Sequence, residues 1–184
     1  MRAVIVYESM FGRTRAIAEA IASGIGDYAE TTLVRAGDVG GSVLYDADLA
    51  VVGCPTHTRT MPQPVTRKAA PGYAKKHDSD LALEPGAVGS GVREWLSSLG
   101  EHMIYAAAFD TRTEGPASLT GRASRAISRS LAHHGMSIVA PPESFLVDED
   151  STLLPGEMAR AAAWGATLGQ AVRTERAQAI TNKG

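Results

Sequence analysis

Apolar residues along this chain switch repeatedly between two spacings. Val4, Ile5, Val6 and Tyr7 form a short β-branched and aromatic run, the pattern of a strand buried on both faces. Beyond residues 8–14 the spacing becomes helical, with Thr14, Ile17, Ala18, Ile21 and Ile25 on one stripe and Gly24-Ile25-Gly26 as a stop. Residues 31–34 predict a second strand, 36–45 a glycine-bearing loop, and 48–53 a third, buried strand that leaves through Cys54-Pro55. Residues 56–91 are a long segment with Pro62, Pro64, Pro71 and Pro85 and a charged middle (Lys75, Lys76, His77, Asp78, Asp80). Long internal segments of this kind are usually functional, and residues 64–76 suit a helix. A short helix follows, with Val92, Trp95, Leu96 and Leu99 on one face, Ser90 as cap and Gly100 as stop. Residues 103–109 predict a fourth strand, and 119–134 a helix with Ala123, Ile127 and Leu131 inward, ended by Gly135. A fifth strand, 137–140 and 144–147, is broken by Pro141-Pro142. Pro155 opens the last helix, where its missing N–H costs nothing. Met158, Ala161, Ala162, Gly165, Leu168 and Val172 form that helix's inner face, small enough to lie close to the sheet. Residues 1–173 read as one domain with a long loop at 61–91, and 174–184 as a polar tail.

Strands alternating with helices specify an α/β chain with a parallel sheet covered on both faces. Ligands of such sheets sit beyond the carboxyl ends of the strands, so the loops at 8–14, 55–61 and 110–116 become the candidates for chemistry. Composition narrows the rest. A net charge of −2 argues against a nucleic-acid binder, which shows a basic face. No apolar run approaches the ~20 residues of a membrane span. Met1-Arg2 leads straight into a strand, leaving no signal peptide visible. The single cysteine makes no internal disulfide and fits a reducing cytoplasm. No histidine pair has metal-binding spacing, and adjacent His133 and His134 point to different faces of their helix.

Residues 8–14, Glu-Ser-Met-Phe-Gly-Arg-Thr, join a buried strand to a helix N-terminus. That junction is an anion site: the first helical N–H groups lack partners, the dipole is positive there, and Ser9 and Thr14 add hydroxyl donors. The chain has neither the G-x-x-x-x-G-K-[ST] run of a triphosphate loop nor a G-x-G-x-x-G after a strand, which leaves a loop for one phosphate group. In the loop after strand 3, Pro55 fixes the turn, while Thr56, Thr58, the His57 imidazole and the Arg59 guanidinium can reach a planar polar ligand. The loop after strand 4 runs from Phe109 through Asp110, Thr111, Arg112 and Gly115 to Pro116. Cys54 reads as a small buried hydrophobe; its spacing to Arg59, Cys-x4-Arg, is one residue short of a phosphatase loop. Trp95 and Trp164 sit at helical packing positions.

With Ser9, Gly12 and Thr14 in the first loop and three loops in order at the strand ends, the chain resembles the flavodoxin-like FMN-binding family over nearly its whole length. The resemblance implies a doubly wound, five-stranded parallel sheet in the order 2-1-3-4-5 with helices on both faces. It implies FMN as cofactor, its phosphate on Ser9, Met10, Phe11, Gly12, Arg13 and Thr14. The ring would lie beside Pro55, Thr56, His57, Thr58 and Arg59 on one side. On the other stand Phe109, Asp110, Thr111, Arg112 and Gly115, whose backbone groups would meet the pyrimidine edge. The flavin would carry the redox chemistry, and no side chain need act as acid or base.

Departures from the family pattern shape the expectation further. Met10 stands where many relatives have a hydroxyl and Arg13 where they have Asn. Neither ring-flanking loop has Trp or Tyr, leaving His57, Met61 and Phe109 as softer contacts. Residues 56–60 lack glycine, so two-electron chemistry is expected as readily as one-electron shuttling. Near-neutral charge contrasts with the family's acidic electron shuttles and favours a small molecule or quinone as partner, beside a redox protein or a second copy in a homodimer. A phosphoacceptor receiver is excluded, because only Glu8 follows strand 1 and strand 3 ends in Gly53-Cys54. The alternative is an interaction or regulatory domain with weak or lost FMN binding.

Overall fold

A computed structural model of the chain describes residues 1–40, 42–76 and 81–181; His77, Asp78, Asp80 and positions 182–184 of the expected tail lie outside the described residues. Strands β1 (Arg2–Tyr7), β2 (Glu30–Arg35), β3 (Leu49–Pro55) and β4 (Tyr105–Thr113) pair in parallel in the order β2-β1-β3-β4. The fifth position is shared by β5 (Ser137–Ile138) and β6 (Glu143–Val147), both parallel to β4. Between them four residues, ending in Pro141-Pro142, span only two residues of β4. Proline has no N–H for the ladder, so the strand bulges there and resumes. The order is therefore 2-1-3-4-5, with a broken fifth strand.

The helices are α1 (Arg13–Ile25), α2 (Pro64–Lys76), α3 (Val92–Ser97), α4 (Ala117–Thr120), α5 (Ala123–His133) and α6 (Glu157–Thr181). Alternation along the strands divides the core in two. Ala3, Ile5, Leu49, Val51, Ala107 and Phe109 pack under α1 and α6. Val4, Val6, Ala50, Val52, Ala106 and Ala108 pack under α3 and α5. These strand residues are 0% exposed, as expected of a sheet covered on both sides.

Several local expectations are corrected. Helix α1 does stop at Gly24-Ile25-Gly26, with Gly26 as its C-cap, and Gly24 has a packing role besides: a Cβ there would lie 1.9 Å from the Ala162 carbonyl oxygen of α6. One on Gly165 would lie 2.3 Å from the Ile21 carbonyl oxygen. The small residues of α6 thus bring it against the backbone of α1, not only onto the sheet. Met158, expected inward, is 44% exposed. The cap of α3 is Gly91 rather than Ser90; the Gly91 N–H donates to Glu94 Oε2 (2.9 Å) and the Val92 N–H to Glu8 Oε2 (2.8 Å). The helix expected over 119–134 is two helices, divided at Gly121 with φ +82. Strand β4 continues four residues past Phe109, because its backbone keeps pairing with β3 and β6. Helix α6 runs through Thr181; Arg173 lies over the Tyr28 ring and Arg176 pairs with Asp48. Among the described residues no helix is long and apolar enough to cross a membrane.

Candidate functional site

The carboxyl ends of β1, β3 and β4 open into a cleft of about 440 Å³, within the usual range for small-molecule sites. It lies where the strand order reverses, between β1 and β3. On one side is the turn into α1. Gly12 takes φ +82, which suits glycine, and its N–H donates to Ser9 Oγ (3.0 Å). Its carbonyl accepts from the Ala16 N–H (2.9 Å), opening the helix. The N–H groups before Ala16 belong to the first turn and have no intrahelical acceptor. Beside them the hydroxyls of Thr14 and Thr111, both buried, are hydrogen-bonded at 2.7 Å. Arg13 Nε donates to the Ser151 carbonyl (2.9 Å), which fixes its guanidinium at the cleft wall.

The loop after β3 is a two-residue hairpin. His57 N–H donates to the Thr60 carbonyl (2.9 Å) and Thr60 N–H to that of His57 (3.0 Å), with Thr58 and Arg59 at φ 44 and 71. Such turns favour Asn-Gly, so a β-branched Thr here is strained and must be held from outside. Gly121 holds it: a Cβ at this glycine would lie 2.2 Å from Arg59 Cα, and Arg59 Nη2 donates to the Ser118 carbonyl (2.7 Å).

Helix α2 forms the opposite wall with Thr66, Ala69 and Ala70. Its anchor is Arg67, 2% exposed, whose Nη2 lies 2.7 Å from Glu94 Oε2 and Nη1 3.4 Å from Glu8 Oε1. Burial raises the Glu8 carboxyl above the ordinary range, opposed by the Val92 N–H and Arg67. One buried cation thus ties α2, the end of β1 and the start of α3 together. Arg93 adds hydrogen bonds to the Met61 and Pro62 carbonyls (2.8 and 3.1 Å). On α2, Thr66 Oγ1 is 3.2 Å from His57 Nδ1. Burial, with the Arg67 charge adding, lowers His57 to about 4, so its imidazole is neutral at neutral pH.

Of the residues singled out from sequence, Met10, Phe11, Arg13, Thr14, Pro55, Thr56, His57, Thr58, Thr111 and Arg112 line the cleft. Ser9, Gly12, Arg59, Phe109, Asp110 and Gly115 do not. Phe109 points into the core, its ring edge-on to Phe145 (6.2 Å) over Gly53, where a Cβ would meet it at 2.2 Å. Asp110 faces α5: its Oδ2 accepts from the Ser124 N–H (2.8 Å) and from Thr56 Oγ1 (3.2 Å), and burial raises its pKa. Arg112 folds the loop after β4, with Nη1 donating to the Thr113 and Gly115 carbonyls and to Thr120 Oγ1. Strand β4 runs on to Thr113, and alternation along it sends Asp110 to the α5 side. Sequence reasoning missed Thr66, Ala69, Ala70, Thr113, Val147 and Ser151. The helix at 64–76 was legible, but nothing local said which face it turns inward.

Among the described residues the lining has seven hydroxyl side chains, two arginines and no carboxylate, and its aromatic rings are Phe11 and His57. Among the described residues no group of three or more His, Cys, Asp or Glu could hold a metal ion. Cys54 is buried, and burial pushes its thiol well up, so it is not a ready nucleophile.

No protein-family model matches the chain, and no curated protein matches it. Solved structures do. A flavodoxin from the domain Archaea superposes with TM-score 0.64 at 20% identity, over 94% of this chain and 99% of that one. Flavodoxin 1 from Bacillus cereus gives 0.61 at 18%, over 90% and 95%. A flavodiiron protein from Giardia intestinalis gives 0.58 at 19%, over 94% of this chain but 36% of its own length. The chain has the flavodoxin-like fold.

Proposed function

We propose that the cleft binds FMN and that the chain is a flavin-dependent redox protein, passing electrons to a redox partner, a quinone or another small molecule. One observation carries this reading. A helix N-terminus, an arginine and a wall of hydroxyls meet at the sheet's switch point, with no carboxylate among the described lining residues. That donor set suits a phosphorylated polyol attached to a ring. The first-turn N–H groups of α1, Thr14 and Arg13 would hold the phosphate. Glu84, whose Oε1 would lie 3.7 Å from a Cβ on Gly12, is paired with Arg15 at 2.7 Å, which offsets its charge beside the turn. Thr56, Thr58 and Thr111 would take the polyol, and His57 with the backbone of the strained hairpin would lie against the ring. When bound, the flavin supplies the electron-accepting chemistry; the protein orients it and excludes water.

The test is Gly12→Asp combined with Thr14→Ala. A carboxylate in the turn would occupy the anion site, so FMN retention is lost while the far-ultraviolet circular dichroism spectrum is kept. Unchanged flavin affinity in fluorescence titration would contradict the placement. The lack of Trp and Tyr in the two loops after β3 and β4 favours, as a second reading, an interaction domain without cofactor. A colourless preparation indifferent to added FMN would establish it.

A further inference from the structure

Charge is distributed unevenly around the cleft. Residues 54–76 carry Arg59, Arg67, Lys68, Lys75 and Lys76 and not one Asp or Glu. Residues 115–142 carry Arg122, Arg125 and Arg129 and again no acid. The fold joins these two segments: Arg59 bridges to Gly121, Arg59 Nη2 reaches the Ser118 carbonyl, and the Ala123 N–H donates to Thr56 Oγ1 (2.9 Å). Together they form one face beside the cleft mouth. Arg67 is buried in its ion pairs and does not contribute. Arg59, Lys68, Arg125 and Arg129 are exposed, and among the described residues none makes a salt bridge. Val65 and Leu119, 69% and 73% exposed, stand among them. Across the cleft, after β6, the chain reads Asp148-Glu149-Asp150. The mouth therefore lies between a basic side and an acidic one, although the whole chain carries −2.

We infer that this basic face docks a protein partner with an acidic surface. The inference rests on the cleft being the redox site, because the face borders the cleft mouth. Exposed aliphatic side chains beside cations that make no salt bridge among the described residues match the mixed apolar and charged make-up of a transient protein interface. Opposed charges speed and orient encounter, and the effect weakens with salt. A protein fits better than a nucleic acid, since residues 54–76 and 115–142 carry no Phe or Trp to serve as a stacking platform.

The experiment titrates the full-length protein, by calorimetry, with an acidic plant-type ferredoxin, a basic cytochrome c and a single-stranded RNA. Each titration is run at about 20 mM and about 200 mM salt, either side of the ionic strength at which screening becomes short-ranged. The ferredoxin is expected to bind at low salt and weaken by at least about tenfold at high salt. Lys68→Glu/Arg125→Glu/Arg129→Glu should weaken it by a similar factor, with FMN affinity unchanged. Equal or tighter binding of cytochrome c, no ferredoxin binding at low salt, or an indifferent triple variant would overturn the assignment. RNA binding of comparable strength and salt dependence would overturn it in favour of a nucleic acid. FMN uptake is read separately by fluorescence. Its failure removes the redox role and leaves ferredoxin binding intact, whereas failure of the ferredoxin arm leaves the cofactor in place.

Discussion

Replacing Arg67 by Met should cost more than any other single substitution at the cleft. The side chain is 2% exposed, 3.4 Å from Glu8 and 2.7 Å from Glu94. At an effective dielectric near 20, unit charges 3.4 Å apart attract by about 5 kcal/mol, most of it offset by the cost of burying them. Removing one partner leaves the other charge stranded, at about 3–5 kcal/mol. Glu8 is the exposed weakness: it is 4% accessible, its pKa is already raised by burial, and without Arg67 it rises further. A carboxyl with a folded pKa above its unfolded one stabilises the fold at low pH and loses that contribution as pH rises through the folded value. The deficit of the variant should therefore grow by about 1.4 kcal/mol per pH unit between the folded pKa of Glu8 in the parent and its higher folded pKa in the variant. It should shrink toward acid pH. Urea unfolding at several pH values measures this. Glu8→Gln in the same background keeps the acceptor for the Val92 N–H and should recover about 2 kcal/mol at neutral pH, flattening the pH dependence. FMN affinity should fall in the single variant, because Arg67 seats the wall bearing Thr66, Ala69 and Ala70. A loss below about 1 kcal/mol, or a deficit independent of pH, would refute the reasoning.

Three further outcomes are expected. Gly121→Ala places a Cβ 2.2 Å from Arg59 Cα at φ +82, costing about 2–4 kcal/mol and displacing the hairpin, visible as lower urea midpoints and weaker flavin binding. Gly53→Ala drives a methyl into the Phe109 ring and should cost about 1–3 kcal/mol, partly relieved by Phe109→Leu in a double-mutant cycle. His57 should titrate near 4 by NMR. The unfolded chain takes that proton first, so His57 alone makes stability decline as pH falls from 6.5 to about 4, by up to about 3 kcal/mol. His57→Gln removes that part of the slope.

The strand order and the two core layers were legible because each buried strand is a short run bounded by turns, and Pro141-Pro142 announced the break in the last. The turn from β1 into α1 was legible for the same local reason: Gly12 marks the bend between strand and helix. What failed depended on long-range pairing. Nothing near Asp110 says that β4 continues, because its partners lie on β3 and β6, and with the strand length went the orientation of Asp110. The packing role of Gly24 was hidden because its reason, the Ala162 carbonyl of α6, is 138 residues away. The cleft wall from α2 was hidden likewise, since it is placed by the ion pairs of Arg67 with Glu8 and Glu94.

The central claim is that the β1–α1 turn holds a phosphate, and comparing FMN with riboflavin isolates that group. Both are titrated into flavin-free protein and followed by quenching of flavin fluorescence. FMN should saturate at one equivalent and riboflavin should bind at least about tenfold more weakly, a difference of about 1.4 kcal/mol assignable to the phosphate. Equal affinities, or no quenching by either, would contradict the account.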